Sequence, residues 1–197
     1  MVREQLTRRK SLEGKATLCA RFHIDRGDWR DARAAATLAL QSVARRIIRL
    51  TDEAAELARQ LDRLVAHAAP RTLKQLGLGT QNTAALLVAA GENIDRFQSE
   101  AALARLCAAA PTSASSGRTT RHRLNHGGKR QANRALYMTV IVRLRYCPRT
   151  RAYMERRRAE GRTKQDVIRC LKRYIARDVF RTLRADLSAM LPRISTP

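Results

Sequence analysis

The chain has 197 residues, 44% of them apolar, and a formal net charge of +23. This length suits one domain or two small ones, and the apolar content supports a core and argues against wholesale disorder. Aromatic residues at 4% argue against a stacking platform for single strands, and the large positive charge points to a polyanionic partner.

Residues 1–30 read as irregular, because Gly14 and Gly27 break the pattern and Trp29 stands alone. The stretch 1–36 is expected to be the remnant of an upstream region. Asp25, Asp28 and Asp31 are close in sequence there but lack a recognisable nuclease context. From Thr37 the pattern is regular: Leu40, Val43, Ile47, Leu50, Ala54, Leu57, Leu61 and Leu64 alternate at spacings of three and four. That is a heptad seam and predicts a coiled-coil helix over 37–70, ended by Pro70. At 1.5 Å per residue the seam runs roughly 36 Å, and its side chains need a partner. A second copy of this chain is placed slightly ahead of an antiparallel helix from the same chain.

The segment LKQLGLGTQNTAALLVAAG, 73–91, puts Gly77-Leu78-Gly79 before a helix expected to open at Thr80. This is a helix-hairpin-helix pattern. Glycines permit positive φ and close approach, and the free N–H groups of a helix start can face a phosphate. An ordinary corner between two helices is the bland alternative. Further helices are expected over Ser99–Ala109, Lys129–Arg145 and Arg149–Glu160, the last closed by Gly161. Thr163-x-x-Asp166 resembles a capping box for a final helix, which carries Ile168, Leu171, Ile175, Val179, Leu183 and Leu187 on one face. Arg169, Lys172, Arg173 and Arg177 fall largely outside that stripe. No strand is expected. The predicted fold is all-α: a long coiled-coil helix, a compact helical DNA-binding domain over 71–187, and a tail over 188–197.

Between Pro111 and Arg184 lie 21 Lys and Arg against 4 Asp and Glu, a net +17. So one-sided an excess is the electrostatic footprint of a nucleic-acid binder. The four cysteines, Cys19, Cys107, Cys147 and Cys170, show no metal-ligand spacing and read as reduced thiols. There is no secretory signal and no apolar run long enough to span a bilayer, so cytoplasm or the bacterial nucleoid is the expected location.

In PTSASSGRTTRHRLNHGGKRQANRAL, 111–136, serines precede a glycine and a dense field of cations. Ser116, with Ser115 as the alternative, is followed by Arg118, Arg121, Arg123, Lys129, Arg130 and Arg134. Arginine forks match phosphate geometry and offset charge that builds on non-bridging oxygens in phosphoryl transfer. Gly117 leaves room beside the hydroxyl, and His122 and His126 are possible proton donors or acceptors. Composition leaves two readings open, a nucleophile beside a phosphate-binding surface or a serine-rich linker beside a basic region.

The ordered segments LGLGTQNTAALL, IDRFQSEAALARLCAAAPTSASSGRT, RLNHGGKRQANRALY, CPRTRAYMERRRAEG and IRCLKRYIARDVF resemble the C-terminal half of one transposase family. It is the insertion-sequence one-ten family of bridge-RNA-guided recombinases, and the resemblance runs from about Leu38 to Leu183. It implies a DNA transposase acting in recombination through a serine that becomes covalently linked to DNA. The serine before the family's glycine corresponds to Ser116. The resemblance further implies a coiled-coil dimer contact over 40–64, DNA contacts at Gly77, Gly79 and Thr80, and a guide RNA. Full-length members begin with a RuvC-like domain carrying four acidic metal ligands, which is missing here. The chain is therefore expected to be truncated and without its own cofactor, magnesium being expected only if that domain is supplied. The alternative is a non-enzymatic DNA-binding remnant that dimerises with and modulates a full-length transposase.

Overall fold

Ser11 stands before an apolar run and its Oγ accepts a hydrogen bond from the Gly14 N–H at 3.1 Å. This caps helix α1, Leu12–Ala20, in a stretch expected to be irregular. Gly14, read as a breaker, occupies the third helical position and supplies its N–H to the cap. The computed structural model describes residues 6–22, 31–91, 99–115, 119 and 122–190, and it divides into two units, Met1–Gln60 and Leu61–Pro197.

In the first unit, Asp31 Oδ1 accepts from the Arg33 N–H at 2.9 Å, and helix α2, Ala32–Ala68, begins there rather than at Thr37. Ala16 and Cys19 of α1 meet Ala44 of α2, with Phe22, Ile47 and Ile48 packed alongside. Gln41 Nε2 donates to the Phe22 carbonyl. The face of α2 used here carries Gln41, Ala44 and Ile48 and takes in Ile47 from the heptad seam. On the seam, Leu40, Val43, Leu50, Leu57 and Leu64 remain exposed, Leu64 to 67%.

The second unit opens at the end of α2. Pro70, expected only to end a helix, also starts the next one, α3, Pro70–Leu73. Helix α4 is Thr80–Ala90, α5 is Glu100–Leu106, α6 is Arg130–Tyr146, α7 is Pro148–Ala159 and α8 is Lys164–Met190. Strands β1, Thr112–Ser113, and β2, His122–Arg123, form one antiparallel pair that the sequence reading did not foresee. Two-residue strands are too short to show an alternating pattern. The other regular elements among the described residues are helices, so the all-α expectation holds.

The core of this unit is built from Leu86 of α4, Leu103 of α5, Leu136 and Val140 of α6, and Ile175, Val179 and Leu183 of α8. The stripe predicted on the last helix is the one buried, apart from Leu187, which is partly exposed. Three polar locks fix the helices around it. Asp186 is buried and accepts from the N–H groups of Arg71 and Thr72 at 3.1 and 2.9 Å and from the Thr72 hydroxyl at 2.8 Å, capping α3. Glu100, at the start of α5, pairs with Arg177 and Arg181 of α8 at 2.7 and 3.1 Å. Thr163 and Asp166 form the expected capping box: the Asp166 N–H donates to Thr163 Oγ1 at 3.2 Å. Among the described residues no helix is long and apolar enough to cross a membrane.

Candidate nucleic-acid interface

The serine-bearing segment leaves α5 through a tightly held exit. Ala108 adopts a left-handed conformation, φ +50°, and the N–H groups of Ala109 and Ala110 return to the Ala104 carbonyl at 2.8 and 3.1 Å. Chain direction reverses there and β1 follows. In the ladder Thr112 pairs with Arg123 and Ser113 with His122, so residues 114–121 connect the strands. Ser115 is exposed, and its Oγ lies 3.2 Å from that of Ser113.

The far side of this hairpin is pinned to the end of α5. Asn125 Nδ2 donates to the Arg105 carbonyl at 2.8 Å, while its Oδ1 accepts from the Gly127 N–H at 3.0 Å. The Lys129 N–H donates to the Leu106 carbonyl at 2.7 Å. Gly128 lies so close to this exit that an added Cβ would meet the Ala108 nitrogen at 2.5 Å. The hairpin therefore rests on a rigid base, and Arg123, Lys129 and Arg130 project from it exposed.

Below the hairpin a cleft of about 530 Å³ opens between the α5 exit and α8. Its apolar wall includes Ala109, Pro111, Leu124 and Val167, and its rim carries Arg157, Arg162, Arg169, Lys172 and Arg173. Lys172 Nζ donates to Asn133 Oδ1 at 2.8 Å, and Asn133 Nδ2 donates to the Ala108 carbonyl at 3.2 Å. Burial, and then the charge of Arg169, pull the Lys172 ammonium below its ordinary pKa. Asp166, also in the lining, is held below the usual carboxylate range first by the Thr163 hydroxyl and then by Arg169.

A second hollow, about 640 Å³ and lined by polar side chains and Arg134, lies at the start of α4. It gathers Gly79, Thr80 and Arg134, three residues singled out in the sequence. The α4 N-terminus has no side-chain cap from Gly79, so its first N–H groups are not claimed by a cap. The two glycines of the turn differ. Gly77 has φ +88° and a Cβ there would lie 3.1 Å from the Thr139 carbonyl, so its lack of a side chain serves packing against α6. Gly79 has φ −84° and open space around it, so positive φ is not its reason for being glycine. Arg143 clamps the turn from α6, donating to the Leu76 carbonyl, Gln75 Oε1 and Asp178 Oδ2 at 2.9, 3.2 and 3.2 Å.

A transposase family model, Transposase IS116/IS110/IS902 family, matches residues 71–155. The insertion element IS110 uncharacterized 43.6 kDa protein of Streptomyces coelicolor is 30% identical over 151 residues, which is 75% of this chain. Residues 71–155 are a transposase domain of the IS116/IS110/IS902 family. The chain spans 37% of that relative's length.

Within the transposase domain, Ser116, Arg118 and Arg121 lie outside the described residues, as do Asp25 and Asp28 before it. Ser115, Arg123, Lys129 and Arg130 belong to the hairpin and its base, whereas Gly79, Thr80 and Arg134 line the hollow at α4. Gly77 does not line that hollow and is packed against Thr139 instead. The cleft cations of α7 and α8 were missing from the predicted site, although the basic outer face of the last helix was the signal that could have found them. They follow the matched segment in sequence and fold back onto it. Among the described residues no three His, Cys, Asp or Glu side chains gather as a metal site.

Proposed function

We propose that this chain is the DNA-binding, serine-bearing part of a transposase acting in site-specific recombination. The observation that carries the reading is the pinned hairpin: a serine-rich connection held on a rigid base beside a cleft rimmed by five Lys and Arg side chains, in a transposase domain. Ser116, or Ser115, is the nucleophile. Its oxygen forms a bond to a backbone phosphorus, the bond from phosphorus to a sugar oxygen breaks, and the serine proton leaves as the departing oxygen gains one. The step is a transesterification and needs no oxidant. His122, opposite Ser113 in the ladder, and His126 are the candidates for handling those protons. Arg123, Lys129 and Arg130 stabilise charge on the phosphate oxygens. The hollow at α4, with Gly79, Thr80 and Arg134, grips a second stretch of backbone through N–H groups and a guanidinium. Arg118 and Arg121, which follow the serines in sequence, add phosphate-binding charge.

A second reading is favoured by the exposed heptad seam on α2. Two chains meeting along 40–64 would bury side chains that are otherwise left in water, and a mixed dimer with a longer transposase would give a non-enzymatic module that modulates it. A guide RNA is a further partner suited to the same charge. The test is binding to a duplex as a function of salt. A protein neutralising Z phosphates loses affinity with a slope of about −0.9 Z in log–log form, and removing Lys129 and Arg130 should flatten it by roughly two such contacts. A Ser116→Ala chain should bind as the parent does. Binding that ignores salt, or falls as much in Ser116→Ala as in the arginine variants, contradicts the proposal.

A further inference from the structure

We propose that the cleft between the α5 exit and α8 holds a single unpaired nucleotide of a DNA strand. This rests on the DNA reading above and assigns a place to residues that it does not use.

A surface that only tracks a duplex backbone needs cations and little depth. This cleft encloses about 530 Å³, within the range of roughly 300–1,000 Å³ in which small-ligand pockets fall, as the hollow at α4 also does; its lining is what sets it apart. It also has an apolar wall, from Ala109, Pro111, Leu124 and Val167, which a phosphate alone would leave wet. A nucleotide has both parts: a base and sugar for the wall, and phosphates on either side for Arg162, Arg169 and Arg173 at the rim. Arg173 is paired with no carboxylate among the described residues. Guanidinium planes stack on bases, so one base can be held where aromatic residues are scarce. The same scarcity limits the site to one nucleotide rather than a run.

Bases in a duplex cannot reach such a wall, since entry to a pocket requires extrusion or a strand already single. The amide groups of the cleft are engaged: Asn133 with Ala108 and Lys172, Asn125 with Arg105 and Gly127. The cleft therefore reads the unpaired state and not the identity of the base. Pro111 lies in the lining and Ser115 is four residues on, so at full extension the two are at most about 14 Å apart. Strand exchange requires bases to leave one partner before meeting another, and this site would hold one of them beside the serine loop.

Cys170 supplies the probe, because it is exposed in the cleft lining, whereas Cys147 lies outside it and Cys19 and Cys107 are buried. The full chain is treated with a maleimide in the presence of duplexes of equal length, either fully paired or carrying one unpaired nucleotide, with binding followed in parallel by anisotropy. The unpaired nucleotide should slow alkylation of Cys170 by about ten-fold more than the paired duplex does, and leave Cys147 unchanged. Cys170→Trp, which fills the cleft without altering charge, should abolish any affinity preference for the unpaired form and keep duplex binding within roughly three-fold. Equal protection by both duplexes makes the cleft a backbone groove and overturns the proposal. So does bound DNA that protects Cys170 in neither form. A free deoxynucleoside monophosphate, or a single-stranded RNA, that protects as well as the unpaired DNA overturns the assignment to a DNA strand. No DNA binding by anisotropy defeats the DNA reading itself and the cleft assignment with it.

Discussion

Gly127 and Gly128 are neighbours with opposite roles, and substituting each by alanine tests how the serine hairpin is held. A Cβ on Gly128 would lie 2.5 Å from the Ala108 nitrogen, 2.6 Å from the Ala108 Cβ and 2.7 Å from the Leu106 carbonyl oxygen. Two of these are backbone atoms and none is the far end of a flexible side chain. The segment 127–129 must lift, which also stretches the bond of the Lys129 N–H to Leu106, 2.7 Å long in the parent. Overpacking of this kind costs about 1–3 kcal/mol and a lost hydrogen bond about 0.5–1.5 kcal/mol, so Gly128→Ala should destabilise by roughly 2–4 kcal/mol. A Cβ on Gly127 meets only Asn125 Oδ1, at an ordinary 3.6 Å, so Gly127→Ala should stay within about 0.5 kcal/mol of the parent. All four tyrosines, Tyr137, Tyr146, Tyr153 and Tyr174, lie in the second unit, so urea unfolding followed by tyrosine fluorescence reports on it. Equal stability of the two variants, or a more harmful Gly127→Ala, would refute the pinned base.

Asp186→Ala removes the buried acceptor for two backbone N–H groups and the Thr72 hydroxyl, and should cost about 2–4 kcal/mol in the same unfolding assay. Arg143→Lys cannot reproduce the three-way clamp on the turn and should destabilise by about 1–2 kcal/mol, with faster amide exchange at 75–79. Burial pushes the Cys107 thiol up to about 12, so the folded state favours the neutral thiol; stability is full below the ordinary thiol value of 9.0 and falls as pH rises towards 12, read as alkaline unfolding that Cys107→Ala lessens. The Thr150 hydroxyl holds the Cys147 thiol below its ordinary value, so alkylation of Cys147 should begin at lower pH than in Thr150→Val. Leu50→Glu with Leu57→Glu should abolish any self-association seen by sedimentation and leave helix content intact, because these side chains are 53% and 57% exposed in the single chain.

Long periodic elements were readable from the sequence. The stripe Ile168, Leu171, Ile175, Val179 and Leu183 is buried as predicted, because a core-facing helix must repeat its apolar residues at helical spacing. The capping box at Thr163 and the helix start at Thr80 depend on neighbours three residues apart and were equally accessible. What escaped depends on distant partners. Helix α1 holds because Ala16 and Cys19 find Ala44, and no local window contains that contact. The roles of Gly77 and Gly79 part company only once Thr139 is seen packed against one of them. The cleft joins residues near 110, 125, 157 and 170, and only the folding of α8 across α5 and α6 brings them to one place.

The most direct test of the central claim is to look for a covalent bond between this chain and DNA. The chain is mixed with nicked DNA, magnesium and a longer transposase of the same family whose own serine has been replaced, and any protein–DNA adduct is digested and sequenced by mass spectrometry. An adduct is expected on the peptide containing Ser115 and Ser116, lost in Ser116→Ala or, if Ser115 is the nucleophile, in Ser115→Ala, with DNA affinity unchanged. An adduct that survives in the double alanine variant, or no adduct from a chain that binds the DNA, contradicts it.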